Sequence, residues 1–265
     1  MGGYDYTFIN NSSSAADFSR TRVWFNLPFK LKKEGHIIVT GLNYSNIHLD
    51  FNRDFNFDLD PLRTIHSLEY TLGYTFLMKN KEWRFTAQLS PILSSNLDDK
   101  VKFDDLLWSG GVLFIRTREN PKKTRLTLGL IYSQRVGIPA PIPFATYFKE
   151  VSENLTYTIG VPISKMKYFF NKKTSLEAFI TFDGYYANLS NALPVNNSSA
   201  EHISMSALIT GIGFDKYLGK RLNIYFKSGY TLRNRLRLVA NFNDEVFDFD
   251  MAKSLTFRGG IKFNF

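Results

Sequence analysis

The sequence predicts an all-β protein: one closed antiparallel up-and-down transmembrane β-barrel of twelve strands, formed by residues 1–265 as a single domain. Three observations predict it. Short runs alternate apolar and polar residues with a period of two, as strands with two different faces do. The connections alternate between tight, Lys-rich turns and longer loops, the asymmetry of a membrane-spanning barrel. The number of runs is even, which brings both termini to the tight-turn end.

Composition agrees. Twenty-five Phe and 14 Tyr, with Thr, Ile and Asn in short runs, suit pleated, half-buried strands. No run of about 18 or more apolar residues exists, so no helix is expected to span a bilayer. A barrel strand needs only about 9–11 residues facing lipid and lumen alternately, and its hydropathy averages out. The mean hydropathy of −0.19 fits that averaging. The absence of cysteine excludes disulfides and thiolate metal sites. A net charge of +9 raises nucleic acid as a partner, but the lysines sit in turns rather than along one face, so none is expected. The numbering opens at Met1-Gly-Gly-Tyr without the charged and apolar regions of a signal peptide.

Twelve segments follow in order: 3–9, 17–31, 36–51, 63–79, 83–95, 105–118, 124–136, 153–169, 174–188, 201–217, 222–237 and 251–265. Tight connections fall at 32–35, 80–82, 120–123, 171–173 and 219–221. Longer ones fall at 10–16, 52–62, 96–104, 137–150, 191–200 and 238–250. In 17–31, Val23, Phe25, Leu27 and Phe29 oppose Arg20, Arg22, Trp24 and Asn26. In 63–79, Leu68, Tyr70, Leu72 and Tyr74 oppose Ser67, Glu69, Thr71 and Gly73. In 222–233, Ile224, Phe226 and Leu232 oppose Asn223, Tyr225, Lys227 and Arg233. Segment 105–118 is ambiguous, because Leu107, Leu113 and Ile115 compete with Trp108, Val112 and Phe114. Aromatics gather near segment ends, Phe29, Phe76, Trp83 and Tyr168 at one end and Tyr44, Trp108, Tyr132 and Tyr185 at the other, as two interfacial girdles. A soluble sandwich or lipocalin-like barrel shares the period but leaves the sided loops unexplained.

The last segment places Leu255, Phe257, Ile261, Phe263 and Phe265 on one face and Arg258, Lys262 and Asn264 on the other. Its aromatic end, Phe263 and Phe265, is similar to the carboxyl-terminal signal by which Gram-negative outer-membrane barrels are recognised for assembly. The Asn26-Leu-Pro-Phe29 stretch, the Phe/Tyr/Asn/Lys-rich composition and the terminal Gly260-Ile-Lys-Phe-Asn-Phe265 together resemble the outer-membrane β-barrel proteins of unknown function found in Bacteroidota. That resemblance implies a bacterial outer-membrane location, with membrane lipid and the barrel assembly machinery as partners.

If the polar faces line a lumen, Arg20, Arg22, Lys227, Arg233, Arg258 and Lys262 form a basic wall across the seam where the barrel closes. Asp5, Glu69, Glu177 and Asp183 are the acidic lumenal groups, with Glu69, Glu177 and Asp183 set elsewhere on the circumference. Opposed basic and acidic walls favour small anions or zwitterions. Buried charges are costly unless paired, so a salt-bridged plug competes with an open pore; Asp5 could reach Lys262 across the seam.

His48, His66 and His202 lie near the long-loop rim beside Asp50, Asp54, Asp58 and Asp60, where an Asp–His general base is conceivable. No spacing singles out a nucleophile, no catalytic residue is assigned, and the acidic loop lacks the glycine and terminal Glu of an EF-hand. No cofactor or metal is expected. Pro139, Pro141 and Pro143 remove successive donors from 137–150, which is expected to be an extended loop able to dock another outer-membrane protein. The functional expectations are therefore a narrow non-enzymatic channel for small polar or anionic solutes, an accessory subunit of a larger assembly, or a rim enzyme using one of the histidines.

Overall fold

The computed structural model describes all residues except 11–12, 100, 102, 134–136, 138–139, 241–243 and 265. Among the described residues, fifteen strands share one antiparallel sheet. They are β1 (Gly2–Asn10), β2 (Ala16–Lys30), β3 (Ile37–Phe51), β4 (Thr64–Leu77), β5 (Trp83–Ser95), β6 (Leu106–Arg118), β7 (Thr124–Tyr132), β8 (Pro141–Ser152), β9 (Leu155–Val161), β10 (Ile163–Asn171), β11 (Thr174–Val195), β12 (Ser198–Leu218), β13 (Leu222–Val239), β14 (Glu245–Phe249) and β15 (Leu255–Phe263). Each strand pairs with its predecessor through β13. β15 then pairs with both β13 and β1, closing a ring of fourteen; β14 pairs only with the upper part of β13.

The twelve expected strands become fourteen for two local reasons. Segment 153–169 is a hairpin, β9 and β10, which turns at Pro162 and pairs Thr158 with Lys165. Pro141–Ser152, expected as a docking loop, is a wall strand paired along β7. Its prolines lose no ladder bond. Glu150 N donates to Lys123 O on the β7 side, so by alternation Pro141 and Pro143 turn to the other flank. There β9 reaches only as far as Ala145.

The surface is inverted relative to a soluble barrel. Leu68 and Leu72 are nearly half exposed on β4, whereas Glu69 between them is 3% exposed. On β2 Val23, Phe25, Leu27 and Phe29 are exposed, and Arg20 is buried. A continuous apolar exterior around a charged interior is stable in lipid and not in water. In β6, Trp108, Val112 and Phe114 take the exterior, and Leu113 and Ile115 the lumen.

The main buried core lies at one end of the barrel. β11 and β12 run far beyond their neighbours and turn at Asn196, whose φ is +54°. The stretch expected as loop 191–200 is therefore the tip of a β-hairpin. Between Asn188 and Leu193 the register shifts, bending β11 across the lumen. Asn188 bridges Ser95 of β5, six strands away round the ring. Ser190 N donates to Asn96 Oδ1 at 2.8 Å, and Ser94 Oγ to Tyr186 O at 3.2 Å. Behind this crossing, Ile9, Phe18, Ile47, Leu49, Ile65, Tyr185, Leu193, Val195, Ile203, Met205, Leu236 and Phe249 pack into one buried cluster. Phe51, Phe55, Phe57 and Phe247 cap it with edge-to-face and tilted rings, while Asp58 and Asp60 of the same loop stay in solvent. Among the described residues, an apolar lid thus lies across the long-loop end of the barrel. Tyr185, expected in a girdle, belongs to it.

Candidate functional site in the lumen

Below the lid the seam half of the lumen is packed with charge. Gly2–Asn10 lies between β15 and β2, which sets Asp5 opposite Gly260 and Arg22. Glycine at 260 leaves room: a Cβ there would lie 2.7 Å from Asp5 Cβ. Asp5, fully buried, accepts from Arg22 at 2.7 Å, from Arg258 at 2.8 Å and from the Tyr225 hydroxyl at 2.8 Å. Lys262 instead lies over the Tyr225 ring, 4.1 Å from its centroid, rather than on Asp5. Arg20 grips Asp183 with both terminal nitrogens, at 3.0 and 2.7 Å, and Arg258 approaches the same carboxylate at 4.0 Å.

A second tier lies toward the short turns. Glu177 takes Lys227 at 2.5 Å and Lys165 at 3.9 Å, and Lys167 donates to Asp215 at 2.8 Å. Glu69, on β4, accepts from Asn43 Nδ2 at 3.3 Å and Thr71 Oγ1 at 3.4 Å. The expected basic and acidic walls do not face each other across a path. Acids and bases interleave, because β11 carries Glu177 and Asp183 to within reach of β10, β13 and β2.

Arg233 is a further correction. Leu208 pairs with Arg233, but Ile209 pairs with Thr231, so Leu232 is an extra residue in β13. Such a bulge inverts the alternation beyond it. Arg233, Arg235 and Arg237 consequently leave the lumen, Arg235 pairing with Asp248 and Glu245, and Arg237 with Glu245. Phe263 is exposed beside Leu222 at the short-turn end; Phe265 lies outside the described residues.

The other half of the lumen is open. A cavity of about 870 Å³ near the short turns is lined by Leu113, Ile115, Phe144 and Phe148, by Thr127, Thr146 and Thr158, by the cations Lys81, Arg84, Lys123, Arg125 and Lys165, and by Glu82 and Glu119, which pair with Arg116 and Lys123. Arg84 donates to Gly35 O at 3.3 Å and Arg125 lies over Phe148, so among the described residues neither meets a carboxylate. Sequence reasoning passed over both, although Arg84 alternates with Trp83 and Phe85, and Arg125 with Leu126, in the same two-residue pattern.

The histidines do not converge. His48 contacts Thr64, His66 contacts Tyr44 and Asn46, and His202 stacks on Tyr186. Among the described residues no group of three metal-ligating side chains forms.

Solved structures similar to this barrel include KdgM porin, with 9% identity and a TM-score of 0.43 over 99% of both chains. NanC porin gives 10% and 0.44 over the whole of both chains. An outer-membrane channel from Pseudomonas putida F1 gives 9% and 0.44 over 99% of this chain and 95% of that one. At such identities no residue role transfers. No curated protein matches. The family model described as domain of unknown function (DUF6268) matches residues 4–264, and the chain belongs to that family.

Proposed function

We propose that the protein is an outer-membrane channel with a narrow cationic lumen, selective for small anionic solutes and shut in this conformation by the β11–β12 hairpin. The observation that carries this reading is the cavity at the short-turn end, where Arg84 and Arg125 face solvent without carboxylate partners. Unpaired cations in a low-dielectric tube raise the local concentration of anions. The cations at the seam serve a different purpose, since Asp5, Asp183, Glu177 and Asp215 neutralise them and lock the wall. The apolar exterior supports the outer-membrane location, with the short turns on the periplasmic side.

Planar-bilayer recording in a KCl gradient tests the reading. Wild type is expected to give rare, small, anion-preferring openings. Shortening the hairpin between Asn188 and Ile203 is expected to make them frequent. The Arg84→Glu/Arg125→Glu variant in that background is expected to reverse the sign of the reversal potential. A hairpin-shortened barrel that folds and passes no current refutes the channel.

A further inference from the structure

The barrel wall has a window. β9 pairs with β8 only up to Ala145, and β10 pairs with β11 only up to Thr181. Above those levels, among the described residues, no strand lies between Pro141–Phe144 of β8 and the segment of β11 from Asp183. The gap is floored by Val161-Pro162, where Phe182 N meets Pro162 O at 3.4 Å. It is bridged above by Ser204 Oγ, which donates to Gly137 O at 2.5 Å. A cavity of about 480 Å³ fills the opening, lined by Pro143, Val161, Pro162, Phe182 and Leu208, with Arg233 at its rim.

The edges of this window are prepared for an apolar occupant. An open strand edge in lipid leaves backbone donors unsatisfied, at several kcal/mol each. On the β8 edge, Pro141 and Pro143 have no donor to leave. On the β11 edge, even-numbered residues point into the gap, as Phe182 N does, and Gly184 N is taken by Asp183 Oδ1 at 2.8 Å. Water would require neither arrangement.

Among the described residues, its rim carries one cation without an ion pair. Arg235 and Arg237 are held by Asp248 and Glu245, whereas Arg233 is exposed and, among the described residues, has no ion-pair partner. The bulge at Leu232 is what puts it there, at the level where the apolar exterior of β13 ends. The cavity volume is within the about 300–1,000 Å³ of small-ligand pockets.

We propose that the window binds a single-chain anionic amphiphile, a long-chain carboxylate, with its tail against Phe182, Leu208 and Pro143 and its head on Arg233. The window also adjoins the lumen, because Ile142 lines it and Phe144, two residues on, lines the lower cavity. The site does not rest on the channel reading.

The test uses the full chain in a non-ionic detergent, with Phe182→Trp as a reporter and bromine-labelled dodecanoate as probe. Saturable quenching is expected, about tenfold weaker in affinity after Arg233→Gln and restored by Arg233→Lys, as for a hydrogen bond to a charged group. Bromine-labelled dodecanol, which lacks the charge, is expected to bind equally weakly to all three. The proposal is overturned if quenching does not saturate or if Arg233→Gln binds dodecanoate as wild type does. It is equally overturned if, in lipid discs, brominated phosphatidylglycerol quenches the reporter and dodecanoate cannot displace it, since the window would then hold only bulk membrane lipid.

Discussion

Asp5→Asn is the sharpest perturbation available, because it removes one charge and almost no volume. Asp5 Oδ2 receives Arg22, Arg258 and Tyr225 within 2.7–2.8 Å, and the residue is fully buried. Each bond to a charged donor contributes about 1.5–3 kcal/mol, and breaking a buried pair by deleting one partner costs about 3–5 kcal/mol. The Arg22 and Arg258 side chains keep 23% exposure, so water can partly rehydrate them. The expected loss is therefore about 3 kcal/mol, at the lower end of that range. The assay is a urea titration of the detergent-folded barrel, followed by the compact band in unboiled gel electrophoresis. Adding Arg258→Met to Asp5→Asn removes the surplus cation and is expected to recover about 1 kcal/mol or more. A shift below about 0.5 kcal/mol for Asp5→Asn alone would refute the view that this carboxylate locks the seam.

Other expectations concern the lid and the wall. Phe249→Ala, at 1% exposure, is expected to cost about 3–5 kcal/mol and to raise protease cleavage of residues 52–59, whose Phe55 and Phe57 pack on it. Glu177→Gln is expected to destabilise the barrel in the same gel assay, while Glu177→Gln/Lys227→Met is expected to recover much of the loss. Gly160 has φ of +143° and a Cβ there would sit 1.9 Å from Ala145 O. Gly160→Ala is therefore expected to loosen β9 from β8, read as faster amide exchange at residues 155–161 with the seam strands unchanged.

Much of the fold was legible because the period of two is a local property, visible in β2, β4 and β13 without any knowledge of partners. The strand number was not, and the reasons are specific. Pro141 and Pro143 look like breakers until it is known which flank of β8 is unpaired. The β9–β10 turn at Pro162 occupies so few residues that alternation seems to continue through it. At the site, Asp5, Arg22 and Arg258 could be placed together from the order of staves, since β1 must lie between β2 and β15. The partner of Asp183 could not, because Arg20 lies across the lumen and depends on how β11 leans. Arg233 went to the wrong face because one extra residue, Leu232, leaves no trace in composition. The lid was invisible for a related reason: its residues come from loops and strand ends whose only common property is their location at one end of the barrel.

That lid also ties the two ends of the chain to each other. It joins Ile9 and Phe18 near the start of the chain to Leu236 and Phe249 near its end, and Ser14 Oγ accepts from Ala252 N at 2.9 Å. Contacts of such sequence separation form late, after nearer pairings have reduced the entropy of closing the intervening loop. The β1–β15 seam brings the same two chain ends together. Sealing the wall and stoppering the mouth therefore draw on the same two stretches of chain, and a substitution that weakens one is expected to weaken the other.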